Sequence, residues 1–213
     1  MVKIYLIRHG ESLANTEGIY QGQTYDTKLS PLGVRQAEAV AGRLRHEPVR
    51  RIVASPLTRT KQTAQAIARF HTVAIDIHRQ IMETNHGEWE GKRVSDIARK
   101  WPGTYRMWAT KPSRVRFPNG ETFNDLQKRV WRWWLATVPY FTGGPTVVVT
   151  HDNVIRIILA GVLGMPADSM WTFELQPAGI TVMDVIKRKT TVVVINDTGH
   201  LRGLEANLAK HAL

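Results

Sequence analysis

The chain has 213 residues, no cysteine, and 29 Lys and Arg against 18 Asp and Glu, for a formal net charge of +11. Without cysteine there are no disulfides, thiolate nucleophiles or zinc-thiolate centres, and a hydrophobic content of 43% with 22% charged residues is that of a globular chain rather than a disordered one. The length suits one domain, no apolar run approaches the roughly 18 residues of a membrane span, and the absence of a leader pattern points to the cytoplasm. The basic excess suits an anionic partner, either a phosphorylated small molecule or nucleic acid, or else a generally basic surface. Nucleic acid is not expected, because the basic residues are scattered and form no stripe or tail.

The first element is an apolar strand from Val2 to Ile7, which delivers Arg8 and His9 side by side to its C-terminal end. In open α/β sheets ligands bind at that end. A guanidinium fork can pin phosphate oxygens and an imidazole can attack phosphorus, although a strand followed by a polar turn would read the same way. A long polar loop from Gly10 to Lys28 follows, and its length marks it as functional. Ser30-Pro31 opens a helix with an N-cap serine and a first-turn proline, and Val34, Ala37, Val40, Ala41 and Leu44 supply its apolar face. Arg51 to Ala54 is a second strand, Ser55-Pro56 repeats the helix-start device for a helix from Thr58 to Phe70, and Val73 to Ile77 is a third strand.

The stretch from about 80 to 120 lacks regular periodicity and is expected to form a small cap over the sheet. A helix from about Thr122 to Tyr140 carries Trp131, Trp133 and Trp134, whose helical spacing points to core or interface packing, with a homodimer as one way to cover them. Thr146 to Thr150 reads as a central parallel strand with His151 at its C-terminal end, followed by a helix from Val154 to Leu163. Three closing strands are expected at Trp171–Leu175, Gly179–Ile186 and Thr190–Ile195, partly antiparallel. The alternation predicts an α/β domain over 1–213: a three-layer α/β/α sandwich with a mostly parallel sheet.

Arg8-His9-Gly10-Glu11-Ser12 with Asn15 resembles the signature of the histidine phosphatase superfamily, the phosphoglycerate mutase-like proteins. Further matches follow in the family's order: Tyr20-Gln21-Gly22, Asp26, Leu29-Ser30, Gly33, Gln36-Ala37, Ser55-Pro56, Arg59, Gln62-Thr63-Ala64, Glu83, Gly87-Glu88-Trp89-Glu90-Gly91, Gly120-Glu121, and Thr150-His151 with Arg156. The resemblance implies a phosphomonoester hydrolase in which His9 is the nucleophile and Glu83 the general acid. It also implies that Arg8, Arg59 and His151 hold the phosphoryl oxygens with Asn15, so that no metal or cofactor is required. Gln21 and Gly22 are further candidates for substrate contact, though loop geometry alone would explain Gly22. Glu88 and Glu90 compete with Glu83 for the acid's role, and Glu11 reads as a brace. His46, His71, His78, His86 and His200 fit no motif and default to surface or packing roles.

Burial should raise the pKa of Glu83 and the arginines should lower it, and sequence alone leaves the sign open. Asp152-Asn153 departs from the two small residues common in the family. An acid beside an anion site must point away or meet a basic substrate group, so Asp152 joins the candidate binding residues. Lys111, Arg114 and Arg116 could meet a second anionic group or form an exposed basic loop. The compact cap resembles the phosphatase branch. The alternatives are a cofactor-dependent phosphoglycerate mutase, which must retain the intermediate phosphate and exclude water, and a non-catalytic phospho-ligand-binding protein.

Overall fold

In the computed structural model, residues 1–211 are described, and six strands form a single sheet in the order β3-β2-β4-β1-β5-β6. These are β1 (Val2–Arg8), β2 (Arg51–Ala54), β3 (Ile75–Ile77), β4 (Thr146–Thr150), β5 (Ile180–Ile186) and β6 (Lys189–Asp197). The first four run parallel, β5 runs antiparallel to β1, and β6 runs antiparallel to β5. The architecture is therefore the mostly parallel α/β sandwich that the alternation predicts. Among the described residues no helix is long and apolar enough to cross a membrane.

The central strands read as unbroken apolar runs because both their faces are covered. Ile4 and Leu6 of β1 and Val148 of β4 face one core, and Tyr5, Ile7, Val147 and Val149 face the other. The second core is closed by α2 (Pro31–Leu44) and α3 (Thr58–Ala68), through Ala37, Val40, Leu44, Ala64 and Ile67. The first is closed by α6 (Phe123–Thr137) and α7 (Asp152–Val162), and the segment between β3 and α6 joins it through Trp89, Ile97, Trp108 and Phe117. That segment contains α4 (Val94–Lys100) and α5 (Pro102–Thr110), while α1 (Leu13–Glu17) interrupts the long loop after β1. Trp133 and Trp134 are buried in the first core, so the tryptophan-rich helix spends its apolar face inside the chain.

Three expectations need correction. Residues 171–175 form no strand: a 3-10 helix runs over Ala167–Thr172, where the carbonyls of Met170 and Phe173 turn to the Arg156 guanidinium instead of a strand neighbour. Ser55-Pro56 is not the start of α3. Leu57 occupies the cap without a side-chain bond, Asp26 accepts the Thr58 N–H at 2.6 Å, and Ser55 is free to face His151. The loop after β1 is not wholly irregular, because Ser12 and Asn15 form a capping box that nucleates α1.

Glycine is required where α2 meets the turn after β1. A Cβ on Gly33 would lie 1.9 Å from the Glu11 carbonyl oxygen, and backbone cannot yield as a side chain can. Gly42, in the same helix, has nothing within 4 Å of its Cβ position. Chemical denaturation should therefore separate the two sites: Gly33→Ala lowers the unfolding free energy, whereas Gly42→Ala raises it by about 0.5–1 kcal/mol.

Candidate active site

The parallel register of β1 and β4 brings Arg8 opposite Thr150, so the residues that follow each strand meet at one edge. The His9 N–H donates to the Thr150 carbonyl at 3.0 Å, which fixes the backbone there. Nδ1 of His9 lies 2.7 Å from the Gly10 carbonyl oxygen. A carbonyl can only accept, so Nδ1 carries the proton and Nε2 keeps its lone pair. Nε2 receives Arg59 Nε at 3.2 Å, and the His151 ring stands edge-on with its centroid 5.2 Å away. Burial, then the charges of Arg59 and Arg8, hold the His9 pKa well below 6.5.

Arg8 and Arg59 are both almost fully buried, at 2% and 1% exposure. Arg59 comes from the first turn of α3 and donates to Asp26 Oδ1 at 2.9 Å and to the Gly22 carbonyl at 3.2 Å. A Cβ on Gly22 would sit 2.0 Å from Glu90 Oε1 and 2.7 Å from the Thr84 carbonyl, so close approach of two loops explains this glycine. Arg8 donates to the Leu175 carbonyl at 2.5 Å and is ion-paired with Asp152 Oδ1 at 3.2 Å. Its Nε is buried without a hydrogen-bond partner among the described residues.

His151 is the N-cap of α7, and its Nε2 is 2.8 Å from Ser55 Oγ. Burial and Arg59 lower its pKa well below 6.5, as they do for His9. The next residue, Asp152, does not point away from the site. Its Oδ2 accepts Arg156 Nε at 2.5 Å, which holds the carboxylate between two buried guanidinium groups.

For Glu83 the sign left open by the sequence is now settled: its pKa is raised. Burial is the largest cause and Asp152 adds to it, outweighing the hydrogen bond from the Thr84 N–H at 2.8 Å and the charges of Arg59 and Arg8. Its competitors are occupied elsewhere. Burial pushes the Glu90 carboxyl up, but Thr24, Tyr25 and Gln23 donate to it and the net shift is down, so it stays ionised as a clamp on residues 23–25. Glu88 lies at the surface with Asn119 and Lys100. Glu11 accepts Ser30 Oγ at 2.7 Å and braces the start of α2.

Arg8, His9, Asn15, Gln21, Arg59, Glu83 and Asp152 line one narrow recess that is partly open to solvent. Asn15 Oδ1 is held by the N–H and hydroxyl of Ser12, and Gln21 Nε2 donates to the same hydroxyl at 2.6 Å. Lys111, Arg114 and Arg116 are exposed and are not among the lining residues.

With this geometry in view, comparison with known proteins is decisive. Residues 4–198 match the profile of the histidine phosphatase superfamily, branch 1. The chain belongs to that superfamily. It is 34% identical to phosphoserine phosphatase 1 of Hydrogenobacter thermophilus over 94% of this chain and 95% of that one. It is 29% identical to the adenosylcobalamin/alpha-ribazole phosphatase of Salmonella typhimurium, over 92% and 96% of the two chains. Its fold superposes on Bacillus stearothermophilus YhfR with a TM-score of 0.90 at 26% identity, covering 94% of this chain and all of that one. The protein is accordingly a phosphomonoester hydrolase of the histidine phosphatase superfamily.

Four residues that line the recess, Tyr20, His86, Trp108 and Asn153, are not among the candidates the sequence offers. His86, for which a surface or packing role is expected, does pack: it is 3% exposed, with its ring against Tyr20, Trp108 and Phe117 and Nδ1 2.8 Å from the Gln21 carbonyl, and it also lines the recess. Asp26 contributes from behind Arg59.

The two site histidines should remain neutral through the physiological range. An NMR pH titration is expected to place both midpoints below 6.5, and Arg59→Gln is expected to move the His9 midpoint upward.

Proposed function

We propose that this histidine phosphatase hydrolyses phosphomonoesters of small metabolites, with His9 Nε2 as nucleophile and Glu83 as general acid. The supporting observation is the His9 ring itself, with its proton tied up at the Gly10 carbonyl and its lone pair facing buried cations. Relatives that act as phosphoserine and alpha-ribazole phosphatases support a small phosphorylated substrate. The reading places the enzyme in the cytoplasm, needs no nucleic acid to account for the basic excess, and makes no demand on a homodimer.

The lone pair on His9 Nε2 forms a bond to phosphorus as the ester P–O bond breaks, and the leaving alkoxide takes the proton from Glu83. Water then attacks the phosphohistidine. Glu83, now a carboxylate, accepts a proton from that water, the P–N bond breaks, and Nε2 recovers its lone pair as inorganic phosphate leaves. Phosphoryl transfer depends on positioning and on stabilising the equatorial oxygens. Arg8 Nε, the Arg59 guanidinium and His151 supply charge and donors for that, Asn15, Gln21 and Gly22 shape the loop beside them, and Asp152 orients Arg8 from behind.

The pKa directions give the pH profile its form. The reaction needs His9 neutral, so activity falls as pH drops through a midpoint below 6.5. It needs Glu83 protonated, so activity falls as pH rises through a midpoint above 4.5. Glu83→Gln should remove the second limb and cost an alkyl phosphate about 10²–10⁴-fold in kcat. An aryl phosphate, whose leaving group needs little help from an acid, should lose far less. His9→Ala should abolish turnover with its circular-dichroism spectrum unchanged, and acid-quenched wild type should carry acid-labile phosphate; retained turnover would refute the nucleophile. Phosphate released to water, with no bisphosphorylated primer required, distinguishes this reading from a mutase.

A further inference from the structure

Beside the unpartnered donors Arg8 Nε and Trp108 Nε1, three buried polar atoms of the recess have no hydrogen-bond partner among the described residues: Asp152 Oδ1, Asn153 Oδ1 and His86 Nε2. Each can be assigned as an acceptor. Nδ1 of His86 faces the Gln21 carbonyl and must hold the proton, which leaves a lone pair on Nε2, and burial keeps the ring neutral with its pKa pushed down to about 4. The Asn153 amide is oriented by a chain of bonds. Glu83 Oε1 accepts both the N–H and, at 3.3 Å, the hydroxyl of Thr84, so that hydroxyl needs a donor in turn and receives Asn153 Nδ2 at 3.0 Å. Asn153 Oδ1 is therefore the open end. Asp152 gives one oxygen to Arg156, and its other oxygen is near Arg8 but not aligned for a hydrogen bond.

One open donor lies with the cations, and the other, Trp108 Nε1, belongs to a ring packed against His86. The first is Arg8 Nε, and it belongs to the group that would meet phosphate. The recess thus holds the cationic, donor-rich group of Arg8, His9 and Arg59 and, beginning 3.2 Å from Arg8 at Asp152 Oδ1, three open acceptors on Asp152, Asn153 and His86, with Trp108 Nε1 as the one open donor near His86. Buried acceptors are satisfied only by donors, and an acceptor-only group placed among them leaves every atom unpaired.

Building on the phosphatase reading, we infer that Asp152, Asn153 and His86 select phosphomonoesters whose alcohol carries hydrogen-bond donors, hydroxyl or ammonium groups, and discriminate against a second anion such as a carboxylate. Asp152 drives the discrimination by charge, and Asn153 and His86 drive it by lone pairs. This gives the departure from two small residues after His151 a specific purpose.

The test compares kcat/KM of wild type at neutral pH, without added metal, for glycerol 3-phosphate and O-phosphoethanolamine against phosphoglycolate and 3-phosphoglycerate, with p-nitrophenyl phosphate as a reference. The donor-bearing esters are expected to be better by about tenfold or more, the effect of one satisfied buried acceptor. Equal or higher efficiency for the carboxylate esters would overturn the inference while leaving the phosphatase reading intact. Failure to hydrolyse any of the five compounds would sink the phosphatase reading itself. His86→Phe and Asn153→Leu should each reduce the preference at least about threefold. A preference unchanged in both folded variants would refute their assignment, and the wild-type comparison stands whether or not either variant folds.

Discussion

Two guanidinium groups buried at the C-terminal edge of a parallel sheet are the constraint around which this molecule is organised. Burying a charge is costly, and an arginine cannot escape the cost by releasing its proton. The surrounding chain must therefore supply partners. Asp26 and the Gly22 carbonyl do so for Arg59, and Asp152 and the Leu175 carbonyl do so for Arg8. Each partner imposes a further condition. Asp26 also caps α3 through Thr58, Gly22 must lack a side chain, and Asp152 is itself held by Arg156, which binds carbonyls after α7. Arg8 is not fully satisfied by this scaffold, since its Nε is left over. A phosphate dianion would complete the arrangement.

The same environment sets opposite protonation states on two neighbouring groups. Burial penalises whichever form is charged, so it lowers the pKa of His9 and His151 and raises that of Glu83. The arginines reinforce the effect on the histidines and oppose it on the glutamate. At Glu83 burial and Asp152 prevail. Both shifts favour the neutral forms, an imidazole with a free lone pair and a carboxyl that keeps its proton, which is the separation of titrations that the proposed acid–base catalysis on a phosphate ester requires.

The strands that carry the chemistry were legible because they are short apolar runs ending in polar residues of unusual type: Arg8-His9 after β1 and His151 after β4. Their convergence could be anticipated from parallel pairing alone. Arg59 and Glu83 were legible only through the order of the motifs, since nothing in local spacing separates Glu83 from Glu88 or Glu90; the separation comes from tertiary hydrogen bonds that occupy Glu90 and from exposure of Glu88. Ser55-Pro56 misled because it copies the local pattern at Ser30-Pro31 while its hydroxyl is committed across the sheet to His151. Trp171 to Leu175 misled because its apolar residues suit a strand, whereas its backbone carbonyls are claimed by one buried arginine. His86 could not be placed by any pattern, because its role depends on three aromatic rings distant in sequence.

The phosphate end and the selecting end of the recess are mechanically one unit. Glu90 holds the backbone of residues 23–25 and also accepts the His86 N–H at 3.0 Å, so the loop after β1 and the segment before α4 move together. His86 Nδ1 adds a direct bond to the Gln21 carbonyl, and Gln21 reaches Ser12, which orients Asn15. A displacement of His86 by the substrate's alcohol would therefore be felt at Asn15 beside the phosphate site. On the other wall, Asp152 contacts Arg8 directly and raises the pKa of Glu83 through space. The residues proposed to read the leaving group thus share hydrogen bonds and field with those proposed to bind phosphate and donate the proton. Substrate identity can then bear on kcat as well as KM, because a poorly matched alcohol disturbs the groups that carry out the chemistry.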